Sequence, residues 1–129
     1  MALQLWKDRK QKKLDPELFS TQAEEFARQI SNEATRTINK GTQLRKFFDE
    51  ILRLKTLAQT TGADWNLILP QVHMVTAKVA YAKGRNLVSQ SFVNHVREGV
   101  EQIETEEDLR VFSNHMEAFM GFYKMYNNN

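Results

Sequence analysis

Apolar residues recur every third or fourth position along most of the chain, and nowhere do they alternate at every second one. That spacing draws one apolar stripe down a helix and cannot line one face of a strand. Phe19, Ala23, Phe26, Ala27, Ile30 and Ala34 make a first stripe, and Leu44, Phe47, Phe48, Ile51 and Leu54 a second, extended by Ala58. Val72, Val75, Val79 and Ala82 make a third, and Phe92, Val96, Val100 and Ile103 a fourth. Leu109, Phe112, Met116, Phe119, Met120 and Tyr123 make the fifth. Each stripe must bury itself against another, so the expected fold is all-α, a compact bundle of about five helices in one domain.

Local signals set the expected boundaries. Asp15-Pro16 supplies a cap acceptor followed by proline at a first helical position, and opens a helix over 16–34. A connection over 35–41 leads to a second helix from Thr42, which Thr60-Thr61-Gly62 ends. Asp64 caps a short turn through Trp65, Pro70 opens the third helix, and Gly84 stops it. The fourth helix covers 89–103, and Thr105 with the acids after it starts the fifth. Residues 1–13 show no stripe and read as a flexible basic arm, 14–126 as the helical-bundle domain, and 127–129 as a disordered tail.

The net charge of +2 conceals a strong pattern. Residues 1–13 carry +4, 14–35 carry −4, 36–85 carry +6 and 86–129 carry −4. A basic middle between acidic flanks suits a polyanion-binding face, or simply an unevenly charged solvated surface. The chain has no cysteine, which excludes disulfides and thiolate metal sites. Its first residues lack a signal-peptide core, and no apolar run approaches the ~20 residues that span a bilayer. A cytoplasmic protein without membrane contact is expected.

Enzyme chemistry finds little footing. His73, His95 and His115 form no ligand motif, so no metal is expected and all three read as structural or surface groups. There is no Gly-x-Ser-x-Gly elbow and no phosphate-cradling glycine loop, so no catalytic residue and no cofactor are assigned. Asp49-Glu50 and Glu106-Glu107-Asp108 are better read as exposed faces and helix-start charges. The fifth stripe reads mainly as core, but the segment from Phe119 to Tyr126 is apolar nearly all round and calls for cover, for which a neighbouring subunit is reasonable.

The basic residues carry more. Arg45, Asp49 and Arg53 share a face opposite Leu44, Phe48 and Ile51, with Lys46 beside them. Gln71, Met74, Lys78, Tyr81 and Arg85 recur at three and four on the third helix, with Lys83 nearby. Cations on adjacent outer ridges contact phosphates without reading bases. Tyr81 is the one aromatic on these ridges, which favours backbone or shape recognition over base stacking.

These residues also carry a family likeness. Thr42-Gln43-Leu44-Arg45-Lys46-Phe47-Phe48-Asp49-Glu50-Ile51 resembles the Thr-Ser-Gln-(Ile/Leu)-Arg-Lys-Phe pattern of the small subunits of type III-A CRISPR effector (Csm) complexes. Lys78-Val79-Ala80-Tyr81-Ala82-Lys83-Gly84-Arg85 resembles their Lys-x-Ala-Tyr-Ala-x-Gly-Arg segment. Asp108-Leu109, Phe112, Met116-Glu117-Ala118-Phe119 and Phe122-Tyr123-Lys124 are similar to their closing helix. The likeness covers roughly residues 35–126 and leaves the basic arm without a counterpart.

The resemblance implies a non-catalytic subunit of antiviral defence that lines the effector filament in several copies. Its implied partners are guide RNA and target RNA, the backbone and large subunits of the Csm complex, and other copies of itself. Carried over by position, Arg45 and Lys46 match the basic pair of the first segment, and Lys78 and Arg85 match the second. Arg53, Lys55 and Lys83 join them as RNA-binding candidates on ridge geometry. Three alternatives stand beside this reading: a type III-B small subunit, a helical adaptor that binds only protein, and a helix-turn-helix DNA binder, which the long links around the second and third helices fit poorly.

Overall fold

The computed structural model describes residues 3–127. The five α-helices are α1 (Thr21–Asn32), α2 (Gly41–Ala58), α3 (Trp65–Gly84), α4 (Gln90–Glu101) and α5 (Glu106–Tyr126). α5 packs against α1 and α2, and α3 packs against α2 and α4. The expected apolar stripes form the core: Ile30, Leu44, Leu54, Phe92, Val96, Phe112, Met116 and Phe119 are fully buried. α4 comes close to α5 at Gly99, where a Cβ would overlap the Phe112 ring. No helix among the described residues is long and apolar enough to cross a membrane.

Several boundaries move. Pro16 opens only a 3-10 turn, Pro16–Phe19, capped by Asp15, and the backbone breaks at Ser20 before α1 begins. Pro70 does not open α3. The helix starts at Trp65, where the Asp64 carboxylate accepts from the Asn66 N–H at 3.0 Å. Pro70 then lies inside the helix, in its second turn and on an exposed position, where it offers no N–H to the carbonyl of Asn66, itself an exposed residue. Gly84 is the last helical residue rather than the stop. The left-handed residue is Asn86, at φ 59, and the Leu87 and Asn86 N–H groups bond back to the carbonyls of Ala82 and Lys83.

The largest correction concerns the N-terminal arm, which is docked. Leu3, Leu5 and Trp6 are buried in the core. The Leu3 N–H donates to Glu98 at 2.9 Å and the Leu5 N–H to Gln102 at 2.8 Å, while Gln102 donates back to the Leu3 carbonyl at 2.7 Å. The chain then folds into a small hairpin whose Asp8 and Lys13 pair. Three apolar residues at irregular spacing make no helical stripe, yet they suffice to cover the end of α4 and the start of α5. Of the tail, Asn127 bonds to Tyr123, and Asn128 and Asn129 lie outside the described residues, as do Met1 and Ala2. The apolar end of α5 is mostly covered by its own domain: Phe119 and Tyr123 are buried, and Met125 is the residue left 63% exposed.

Candidate nucleic-acid interface

α2 and α3 lie side by side and bring part of the predicted cation set together. Lys46 and Arg53 are seven positions apart, two turns of one helix face, with Glu50 between them. Glu50 receives Arg53 through two bonds of 2.9 and 3.0 Å and Lys78 of α3 at 3.3 Å. Arg53 also donates to Gln71 of α3 at 3.2 Å. The Arg53 guanidinium, with Lys78 adding to it, holds the Glu50 carboxyl below its ordinary range, and Glu50 raises Arg53 in return. One carboxylate thus stitches two helices by their basic side chains. These chains are about half exposed, so the bridge is worth at most ~1 kcal/mol, and the cations stay available to a stronger anion.

Arg45 sits on the neighbouring flank of α2. It stands 4.0 Å from Asp49 and lines a groove with Thr42, Met120 and Lys124 at the end of α5. α2 begins there without a side-chain cap and without an acid in its first turn, so its positive end adds to the local potential. Arg85 closes α3, its guanidinium 6.0 Å from the centroid of the Tyr81 ring. Lys46, Lys78, Arg45 and Arg85 are all exposed.

Lys55 and Lys83 do not join this face. Lys55 is two positions from Arg53 and Lys83 five from Lys78, so each points around the other flank of its helix. Both are partly covered and stand in the last turns of α2 and α3, where a cation complements the carbonyl end of the helix dipole.

The structure also joins two histidines that spacing left apart. His95 Nε2 lies 2.9 Å from His115 Nε2, and His115 Nδ1 lies 2.7 Å from the Leu18 carbonyl. A carbonyl only accepts, so His115 donates through Nδ1 and accepts through Nε2, and His95 is the donor between the rings. Burial holds both rings below the ordinary imidazole range; His115 lowers His95 further, while the bond to Leu18 partly offsets the shift of His115. His73 is exposed. Among the described residues no group of three His, Asp or Glu side chains is placed to hold a metal ion.

Two buried polar groups escaped the sequence reading. Asn39, at φ 62, is fully buried; it donates to the Ile30 carbonyl and the Ser89 hydroxyl and accepts from the Ser89 N–H. Its carbonyl accepts the Tyr123 hydroxyl, and burial pushes that phenol up to about 12. Asp108, legible only as one of the acids that start α5, forms a capping box with Thr105 and also accepts from the Trp6 indole at 2.8 Å and Arg9 at 2.9 Å. The turn containing Asn39 signalled only a connection, and nothing in the spacing joined residues a hundred positions apart.

No curated protein and no solved structure matches the chain. A family model does: Csm2 Type III-A matches residues 13–129, which leaves out the docked N-terminal strap and takes in every helix. The match decides for type III-A over the type III-B alternative, and the chain belongs to the Csm2 Type III-A family, the small subunits of type III-A Csm complexes.

Proposed function

We propose that this chain is a non-catalytic subunit that grips the guide RNA–target RNA duplex by its backbone while packing on neighbouring subunits of the Csm complex and on copies of itself, in cytoplasmic antiviral defence. One observation carries the reading. From Trp65 to Arg97 the chain has no Asp or Glu, and among the described residues the one cation of this stretch that forms an ion pair is Lys78, with Glu50 of α2. Such a face attracts a polyanion and, having few groups that read base edges, binds it without regard to sequence. Arg45, Lys46, Lys78 and Arg85 are the residues assigned to phosphate or sugar contact, with Arg53 beside them. The subunit needs no cofactor in this role.

The test is affinity for a guide–target RNA duplex across a salt series. The double variant Arg45→Ala/Arg85→Ala is expected to weaken binding equally for unrelated sequences and to reduce the salt slope by about 2, one for each phosphate no longer neutralised. Unchanged affinity, or weakening confined to one sequence, overturns backbone recognition.

A further inference from the structure

Three large apolar side chains of α3 stand out in solvent: Leu67, Met74 and Tyr81 are 68%, 53% and 69% exposed. They are seven positions apart, so they share one ridge and follow one another at about 10 Å. Gln71, Lys78 and Arg85 come four positions after each and fall on the same ridge. The row therefore alternates apolar and polar or cationic groups for its whole length and carries no acid. At its end the Arg85 guanidinium approaches the Tyr81 ring, which orders a flat surface beside a fixed positive charge.

A fully paired duplex has little use for such a row, because its bases stack on one another and its outside presents sugar and phosphate. Unpaired nucleotides use it fully: each base offers a π-face to an aromatic ring, and cations alongside meet the flanking phosphates. A protein partner would have to bring carboxylates to answer Lys78 and Arg85, whereas RNA brings its own anions with the stacking faces.

Resting on the RNA-binding reading above, we propose that the α3 ridge holds an unpaired stretch of RNA, with one base stacked on Tyr81, the next sugars against Met74, and Lys78 and Arg85 at the phosphates. Lys78 and Arg85 then meet the phosphates where paired backbone passes into the unpaired stretch, so they serve the duplex as assigned above, and Tyr81 and Met74 add the contacts that only unpaired nucleotides can use.

The experiment compares a blunt RNA duplex with the same duplex carrying a short unpaired tail that contains 2-aminopurine. For the wild type, the tail is expected to raise affinity roughly tenfold and to quench the fluorescence. Tyr81→Ala should lose both the gain and the quench and leave blunt-duplex affinity unchanged, while Tyr81→Phe should keep both. A wild type that binds both RNAs equally, or a gain that survives Tyr81→Ala, overturns the proposal. Intact RNA affinity in Tyr81→Ala together with lost association with neighbouring subunits assigns the ridge to protein and overturns it too. The variant Arg45→Ala/Lys46→Ala separates the two readings: if it leaves the blunt duplex unaffected, the backbone assignment of α2 fails, and the tail-dependent gain still decides the ridge. Absence of binding to any RNA at low salt overturns both.

Discussion

The two ends of α5 are locked by different means. At its start, Asp108 is a buried charge that accepts from the Glu104 and Thr105 N–H groups, the Trp6 indole and Arg9. At its end, Asn39 and Tyr123 form a neutral node that ties the end of α1 and the α3–α4 loop to α5. The neutral node lies within the part of the chain shared with the family, whereas the charged node anchors a strap of which only Lys13 falls inside the family match. A buried carboxylate can gather several donors at once, so it suits the attachment of an added segment. A neutral amide makes fewer and weaker bonds but does not depend on pH.

Removing the charge should have the largest effect. Asp108→Ala leaves an indole N–H and two backbone donors without their acceptor, and about 3–5 kcal/mol of stability should be lost in urea unfolding. Amide exchange at Leu3 and Leu5 should rise in the same variant; protected amides would show that the strap holds on without Asp108, which would weaken the contrast. The carboxylate's dependence on acid has a definite sign. Burial alone would raise its pKa, but the Glu104 N–H, Trp6, Arg9 and the Thr105 N–H together hold it below the ordinary range. Its contribution is therefore whole above about pH 4 and disappears as the pH falls through the folded value.

The neutral end should give way less. Asn39→Ala removes three side-chain bonds and places alanine at φ 62, at a cost of about 2–3 kcal/mol by the same unfolding measurement. Asn39→Gly should recover roughly 1 kcal/mol of that, the part due to backbone strain. The cost at this end should not vary between pH 4 and 7; variation would mean that the node is coupled to a titrating group.

The smallest effect belongs to the middle of α5. Both rings of the His95–His115 pair are neutral in the fold, and the unfolded chain takes up protons first as the pH falls through about 6.5. The wild type should thus lose about 1–2 kcal/mol between pH 7 and 5.5, and His95→Gln should flatten that slope. An unchanged slope in the variant would place the acid sensitivity elsewhere.

These contrasts also mark what the sequence could show. The five stripes predicted the five helices because the spacing of apolar residues reports directly which face is buried. Thr105 as a cap and the acids after it were visible because they lie within one turn; that Asp108 closes a capping box with Thr105 came from the structure. The Arg53–Glu50 pair was equally local, but the reach of Lys78 to the same carboxylate depends on how α2 meets α3. Pro70 misled because proline disfavours helix interiors in general, while here it and Asn66, one turn back, both stand on exposed positions. The strap, the histidine pair and the Asn39 node were illegible for one reason: each joins separate segments of the chain through polar contacts, helped in the strap by three irregularly spaced apolar residues, and neither leaves a periodic trace. Of the RNA-binding candidates, Arg45, Lys46, Lys78 and Arg85 keep exposed positions. Lys55 and Lys83 fall away from them because proximity in sequence does not guarantee a shared flank.

The strap also sets an order of events during synthesis. Trp6 is separated from Asp108 by 102 positions, and Leu3 from Glu98 by 95. At roughly 5–20 residues per second, some 5–20 s pass between the emergence of the first segment and that of its acceptors. Throughout that interval Leu5 and Trp6 lack the acceptors and helix ends that they cover in the fold, so a segment made well before its partners is among the last to find its place.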